Sequence, residues 1–337
     1  MPTLRRRGIT ALAGIAVTAI ALTGCAGTEG EEPTEASNGE STGIDVEFPI
    51  TVTDLAGNEV TIESADSIAV THNQSFGVLE SWGVQPTAAA RSLMSDNNPW
   101  STDDSILDTG THREPDFEQV VAAAPDLIIN GGRYQQHAED MQEAAPDAAF
   151  IDMSNDELST DEYVVESVTL LGEIFGHEEE AQTLIDDLHS AVDEAQEAYD
   201  SETSVMGLVT SANEIRYASP EDGRGASVFF DLLDMTPALD AEGSTNHQGD
   251  DISIEAIAEA EADFFLVLDR DAAVSSGEEE SSPAIELITE SSSLANVPAV
   301  QNEAIYVMPD DYYLTEDVFA FTTVLEGLTE AFGSAAQ

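Results

Sequence analysis

The chain has 337 residues, enough for two domains of ordinary size, and its 42% hydrophobic fraction is that of a globular protein. Against 68 Asp+Glu stand only 9 Lys+Arg, a formal net charge of −59. That balance excludes nucleic-acid binding, which needs clustered cations to neutralise phosphate, and electrostatic docking on anionic lipid. It fits a solvated acidic surface kept soluble where salt screens self-repulsion, and predicts a halophilic or haloalkaliphilic source. Every cation is an arginine. Three of them, Arg5, Arg6 and Arg7, lie in the leader, so each of the remaining six is a candidate for a specific partner.

The N-terminus reads as a targeting segment: a basic stretch to Arg7, an apolar run over 9–22, then Leu22-Thr23-Gly24-Cys25, which resembles a bacterial lipobox. Residues 1–24 are expected to be a lipoprotein signal peptide. Cys25, the only cysteine, is expected to be the acylated N-terminus of the mature chain; an internal disulfide is impossible. Residues 25–45, rich in Gly, Glu, Ser and Thr, read as a disordered acidic tether. Residues 46–158 are assigned to a first α/β lobe. They comprise a hairpin turning at Leu55-Ala56-Gly57-Asn58, a strand over 67–71, a helix over 75–82 and a strand over 86–91. A surface loop over 92–108 follows, with Trp100 exposed, and later a helix over 135–145 and a strand over 148–153. The longest helical pattern, 160–200, is interrupted at Gly176 and makes 159–201 the connecting helix region. Residues 202–337 form the second lobe: a strand over 205–210, a loop over 216–226, a helix over 227–233, further alternating elements, and a closing helix over 318–332. Strands alternating with helices predict α/β architecture with parallel sheets in both lobes.

One stretch occurs twice at a constant offset. A short helix carries Glu118 or Glu255, Asp126 or Asp263 marks a turn, a buried apolar strand follows, and Arg133 or Arg270 stands just past its end. Ligands of open α/β sheets bind outside the carboxyl ends of strands, so the pair suggests a ligand gripped between two similar lobes. Similar βα-unit chemistry without duplication is the alternative. Thr111-His112-Arg113 falls at the loop matching Gln248-Gly249-Asp250 of the second copy, which makes His112 and Arg113 candidates to line the cleft. His72, His137, His177 and His189 show no mutual metal spacing and read as surface residues. No Gly-x-Ser-x-Gly elbow, P-loop, Cys nucleophile or His-x-x-x-His motif supports an enzyme.

The lipobox, the tether, VTDLAGNEV, EPDFEQVVAAAPDLII, LLGEIFG, ISIEAIAEAEADFFLVLDR and AIYVMPDDYYL occur in this order. Together they resemble the ABC-transporter substrate-binding lipoproteins for ferric siderophores, especially the binders of petrobactin- and enterobactin-type catecholates. The resemblance implies a class III binding protein: two lobes joined by a long helix, the ligand cleft between them, and no intrinsic cofactor. It also implies an extracytoplasmic monomer held to the membrane by its lipid, capturing a ferric siderophore and delivering it to an ABC permease. An anionic chelate needs cations, donors and rings, which the resemblance assigns to Arg133, Arg270 and Arg224, with Arg216 competing for the last role. It assigns His247 and Tyr313 to the iron, and imidazole and phenolate suit Fe(III). Tyr312 is either ring packing against the ligand or core. Glu118 and Glu255 take the place of acids that dock the permease. For any one arginine the plain alternative is a surface ion pair worth under about 1 kcal/mol. Two other readings of the whole chain are a binder of haem, a corrinoid or another chelate, and an acidic surface protein that docks a partner.

Overall fold

The computed structural model describes residues 43–239, 241–274 and 281–335; the expected signal peptide, Cys25 and the tether to residue 42 lie outside these residues. The first lobe opens with an antiparallel hairpin of β1 (Ile50–Thr53) and β2 (Glu59–Ile62). Its turn is fixed by the Asp54 carboxylate, which accepts from the backbone N (2.7 Å) and Nδ2 (3.1 Å) of Asn58. There follow β3 (Ile68–Val70), α1 (Phe76–Ser81), β4 (Ala88–Ala89), β5 (Leu107–Asp108), a small hairpin of β6 (Gly110–Thr111) and β7 (Glu114–Pro115), α2 (Phe117–Ala123), β8 (Leu127–Asn130), α3 (Ala138–Ala144) and β9 (Ala149–Asp152). Strands β5-β4-β3-β8-β9 form one parallel sheet.

Two helices, α4 (Thr160–Phe175) and α5 (Glu178–Ala198), lead to the second lobe. The long helical pattern is thus split. Gly176 adopts φ 77 at the end of α4, and the Phe175 carbonyl accepts from the Asp45 backbone N at 2.8 Å. A side chain at Gly176 would stand 2.5 Å from the Asp45 carbonyl oxygen, so only glycine admits that contact.

The second lobe contains β10 (Ser204–Ser211), β11 (Glu214–Ala218), α6 (Ser227–Leu232), β12 (Thr236–Pro237), α7 (Ile254–Glu259), β13 (Phe264–Asp269), α8 (Arg270–Val274), α9 (Ala284–Thr289), α10 (Pro298–Gln301), β14 (Ile305–Val307), α11 (Tyr312–Thr315) and α12 (Val318–Ala335). Its sheet, β11-β10-β13-β14 with β12 beside the start of β10, is mixed and not wholly parallel. The expected loop at Arg216 is the antiparallel edge strand β11, because Ala212 (φ 55) and Asn213 (φ 58) both take the left-handed conformation that a tight hairpin turn requires. The Asp271 carboxylate accepts from both of their backbone N–H groups at 2.8 Å and fixes the turn.

Strands β8 and β13 are buried at every position, as strands covered on both faces must be. One continuous apolar core joins Val70 and Ile129 of the first sheet, Val168 and Leu171 of α4, and Val209 and Phe264 of the second sheet. Each such side chain contributes about 1.5–3 kcal/mol on burial. The two copies of the repeated stretch do the same work. Asp126 accepts from the backbone N of Ser67, Asp263 from that of Ser204, and each pair is 59 residues apart. The same spacing separates Thr71 from Asn130 and Thr210 from Asp269, which hydrogen-bond at 2.8 and 2.9 Å where neighbouring strands end.

Several expectations about burial are corrected. Trp100 is 4% exposed and packs edge-on to Phe76. The loop that carries it folds inward because Arg91 donates to the carbonyls of Trp100, Ser101 and Ile106. His177 stacks on Trp82 and donates to the Gly43 carbonyl, and His137 is half-buried; of the four presumed surface histidines only His189 is exposed. His72 is wholly buried. Its Nε2 lies 2.9 Å from the Tyr163 hydroxyl, which itself donates to the Met153 carbonyl, so Nε2 carries the proton and Nδ1 accepts from Ser75 at 2.6 Å.

Burial pulls the His72 pKa from 6.5 to about 4. A base so depressed stabilises the fold above pH 6.5 and loses that contribution, roughly 3 kcal/mol, as pH falls toward 4. Burial raises Asp317 from 3.8 to about 6, so its contribution is present below 3.8 and is lost as pH rises through 6. The two offset each other between those limits. Denaturant titration should therefore show the stability advantage of wild type over His72→Asn shrinking by roughly 3 kcal/mol from pH 7 to pH 4; a pH-independent difference would contradict the buried neutral imidazole.

Candidate ligand-binding site

Three of the six arginines outside the leader meet at one ring. The guanidinium carbons of Arg133, Arg224 and Arg270 lie 4.8, 4.9 and 5.4 Å from the centroid of the Tyr313 ring. Each arrives from a different strand end. Arg133 follows β8 in a tight turn that begins with Gly131-Gly132. Gly132 has φ 52, and a Cβ there would stand 2.5 Å from Asn73 Oδ1, so glycine lets the turn close on the first lobe's edge. Arg270 begins α8 directly after β13 and donates to Ser211 Oγ (3.2 Å) at the end of β10. Arg224 lies in the loop before α6. Tyr313 sits on α11, beyond β14.

The partners of these cations differ. Arg133 Nη2 donates to the Tyr313 carbonyl at 2.6 Å, while its Nε is buried without a partner. Arg270 Nε is likewise buried and unpartnered among the described residues, as are Nδ1 of His112 and, away from the ring, Nε of Arg216. Among the described residues Arg224 is the one of the three with a carboxylate partner, donating from Nε (3.1 Å) and Nη2 to the two carboxylate oxygens of Glu316. Buried N–H groups without acceptors cost on the order of 1–3 kcal/mol each, and a ligand oxygen would recover that. Cations held together over one ring repel each other, a cost that an anion arriving among them removes.

Arg216 does not join them. It stands on β11, donating to Glu214 at 2.6 Å, so of the two competing arginines Arg224 takes the position at the ring. Tyr312 is 1% exposed, with its ring against Phe229 and Phe321, which is core packing, and it also lines the cavity beside Arg224 and Glu316.

His112 and Arg113 occupy the turn of the β6–β7 hairpin, and the His112 carbonyl accepts from His137 (2.8 Å) and Gln136 (3.1 Å). His247 lies in the 243–250 loop of the other lobe, which Asp250 ties down by accepting from the backbone N and Oγ of Ser244. Both imidazoles are held below their ordinary pKa. For His112 the causes are burial, then the charges of Arg133 and Arg113, then His137 and His247; for His247 they are burial, then Arg270, Arg224, Arg113 and Arg133. The two histidines, from opposite lobes, therefore share one field of arginines, which favours the neutral imidazole. Burial alone would raise the Tyr313 phenol. A hydrogen bond from Arg270 and the charges of Arg133, Arg224 and Arg270 outweigh burial and hold the phenol below its ordinary value.

Groups that no sequence pattern announces lock the 311–316 segment across the lobes. Asn73 Nδ2 donates to the Leu314 carbonyl (3.0 Å), Gln74 Nε2 to the Glu316 carbonyl (2.9 Å), and Asn97 Nδ2 to Asp311 (3.2 Å). Cavities flank this seam. One of about 370 Å³ lies between α1 and Phe319, and another of about 330 Å³ runs beside Arg224, Thr245 and Glu316.

Two α/β lobes, a helical spine between them and cations gathered beyond their strand ends make the architecture of a two-lobed solute-binding protein. The chain belongs to the periplasmic binding protein family, whose model matches residues 68–312. It is 28% identical over 237 residues to the ferric-anguibactin-binding protein FatB of Vibrio anguillarum, a match covering 68% of this chain and 70% of that one. It is 27% identical over 215 residues to the petrobactin-binding protein YclQ of Bacillus subtilis, covering 63% of this chain and 64%, just under two thirds, of YclQ. The crystal structure of YclQ superposes with a TM-score of 0.72 at 21% identity, covering 85% of this chain and 99% of that one. That of the catecholate-siderophore-binding protein VctP of Vibrio cholerae superposes at 0.69 and 21% identity, covering 84% and 100%. The class III binding-protein fold is therefore shared.

Because Arg270 supplies both a hydrogen bond and a charge to Tyr313, ultraviolet difference titration should show a tyrosine ionising below the ordinary range in wild type. That step should vanish in Tyr313→Phe, move upward in Arg270→Ala and stay in place in Arg216→Ala. A wild type without the low step would contradict the geometry.

Proposed function

We propose that the protein captures an anionic ferric siderophore of the catecholate type between its lobes and delivers it to the permease of an ABC importer. The observation that carries this reading is the set of unpartnered donors, Arg133 Nε and Arg270 Nε, converging on Tyr313 in a chain otherwise crowded with carboxylates. Guanidinium forks match catecholate oxygens, and a neutral His247 with a Tyr313 phenol held below its ordinary pKa can complete the coordination of a hard Fe(III) that its chelator leaves open. That FatB binds ferric anguibactin and YclQ petrobactin supports a siderophore ligand, and that VctP binds catecholate siderophores supports the catecholate type. His112 and Arg113 would flank the chelate from the first lobe and Arg224 from the second.

On this reading the mature chain works outside the cytoplasm. Cys25, acylated after removal of residues 1–24, holds it to the membrane through the tether, and the acidic surface suits a saline habitat. Glu118 and Glu255, on equivalent helices of the two lobes, are the acids offered to the permease.

Tryptophan-fluorescence titration across a ligand panel tests the proposal. Ferric catecholates should quench and ferric hydroxamates should not. Arg133→Ala and Arg270→Ala should each weaken catecholate binding by about tenfold to a hundredfold, the worth of one charge-assisted hydrogen bond, with the fold intact. Affinity should hold or improve as salt is added, since salt screens the long-range repulsion of a −59 protein but not the buried contacts. Binding of haem or a corrinoid in place of the catecholates, or no chelate binding at all, would overturn the reading.

A further inference from the structure

Glu316 stands out among the carboxylates because it lies inside the cation cluster. Its carboxylate grips Arg224 through both oxygens, and the two side chains are largely shielded from solvent, with relative exposures of 20% and 29%. Its backbone is fixed from both lobes: its N–H donates to the Tyr312 carbonyl of α11, and its carbonyl accepts from Gln74 of the first lobe. It holds φ 44 and ψ 36, a left-handed conformation uncommon for a residue with a side chain. The contrast with its neighbours is the point. Arg133 and Arg270 keep buried unpartnered nitrogens, while Arg224 already has its counter-anion built in.

We infer that Glu316 sets the charge of the ligand the cleft prefers: as a fixed anion on Arg224 it subtracts one unit from the positive field over Tyr313 and so disfavours chelates carrying high negative charge. This rests on the proposed function and deepens it. A hexadentate ferric tris-catecholate is a trianion, whereas a tetradentate ferric bis-catecholate is a monoanion and leaves iron sites open. A cleft with two uncompensated guanidiniums at its centre discriminates against the first relative to what three would do. Glu316 has a second effect, on geometry. By occupying Nε and Nη2 it holds the guanidinium beside the ring, 4.9 Å from its centroid, and leaves the Nη1 donors outside the ion pair. Charge and positioning can be separated by substitution.

The test uses the full chain and two probes, a ferric tris-catecholate and a ferric bis-catecholate, with wild type, Glu316→Gln and Glu316→Asp. Gln keeps an acceptor for Arg224 but removes the charge; the affinity ratio of trianion to monoanion should rise by about fivefold, the Coulombic effect of one charge acting across several ångströms of partly hydrated cleft. Asp keeps the charge on a shorter arm; it should weaken both probes together and leave their ratio as in wild type. A ratio in Glu316→Gln within twofold of wild type, or the same ratio change in both variants, overturns the inference. A ligand-free readout separates this from failure of the proposed function. Proton NMR titration of His247, assigned with His247→Gln, should show its pKa falling in Glu316→Gln, because Arg224 is no longer compensated. Should neither probe bind wild type, the siderophore reading fails, and the His247 titration still decides whether Glu316 acts as a fixed anion: an unmoved imidazole overturns that role.

Discussion

The arrangement depends on one interaction that is unfavourable by itself: three guanidiniums crowded about a single tyrosine ring. Bringing like charges within a few ångströms costs energy that the ring's negative face repays only in part, at about 0.5–2 kcal/mol per cation. The fold meets the remainder with fixed groups. Glu316 neutralises Arg224, Ser211 accepts from Arg270, and the Tyr313 carbonyl accepts from Arg133. What the protein leaves unmet, the Nε atoms of Arg133 and Arg270, is what a ligand can supply.

The crowding is possible because of the sheets. β8 and β13 run parallel within their own lobes and carry their arginines to matching ends, and the same Asp-to-strand and Thr-to-strand hydrogen bonds recur in both halves. The 311–316 segment then does what neither sheet can do alone. It leaves β14 in the second lobe, presents Tyr313 to cations from both, and is held by Asn73, Gln74 and Asn97 of the first lobe. His72, locked between Ser75 and Tyr163, fixes the turn that carries Asn73 and Gln74, so a buried neutral imidazole helps position the ring.

Much of this was legible in the sequence, for physical reasons. Purging Lys leaves each arginine conspicuous, and strand periodicity places Arg133 and Arg270 at strand ends, which is where they stand. Arg224, His247 and Tyr313 are picked out by the resemblance to ferric-siderophore binders, and His112 and Arg113 by the loop that matches the second copy of the repeated stretch. Other features were not legible. Trp100 sits in a polar stretch and is buried only because Arg91 folds that stretch inward. Adjacent tyrosines look alike in sequence and both are buried, yet Tyr312 packs on Phe229 and Phe321 while Tyr313 meets three guanidiniums. The hairpin that makes β11 depends on an Ala-Asn turn with no glycine to announce it. Glu316 is one acid among 68 Asp+Glu, and nothing but its geometry distinguishes it.

The most direct measurement of the central claim is a crystal structure of the protein with a ferric bis-catecholate, the iron located by its anomalous scattering. The account predicts iron beside Tyr313 and His247, with the Nε atoms of Arg133 and Arg270 now donating to catecholate oxygens. Iron found elsewhere, for instance in the cavity between α1 and Phe319, with the three arginines still closed over Tyr313, would contradict it.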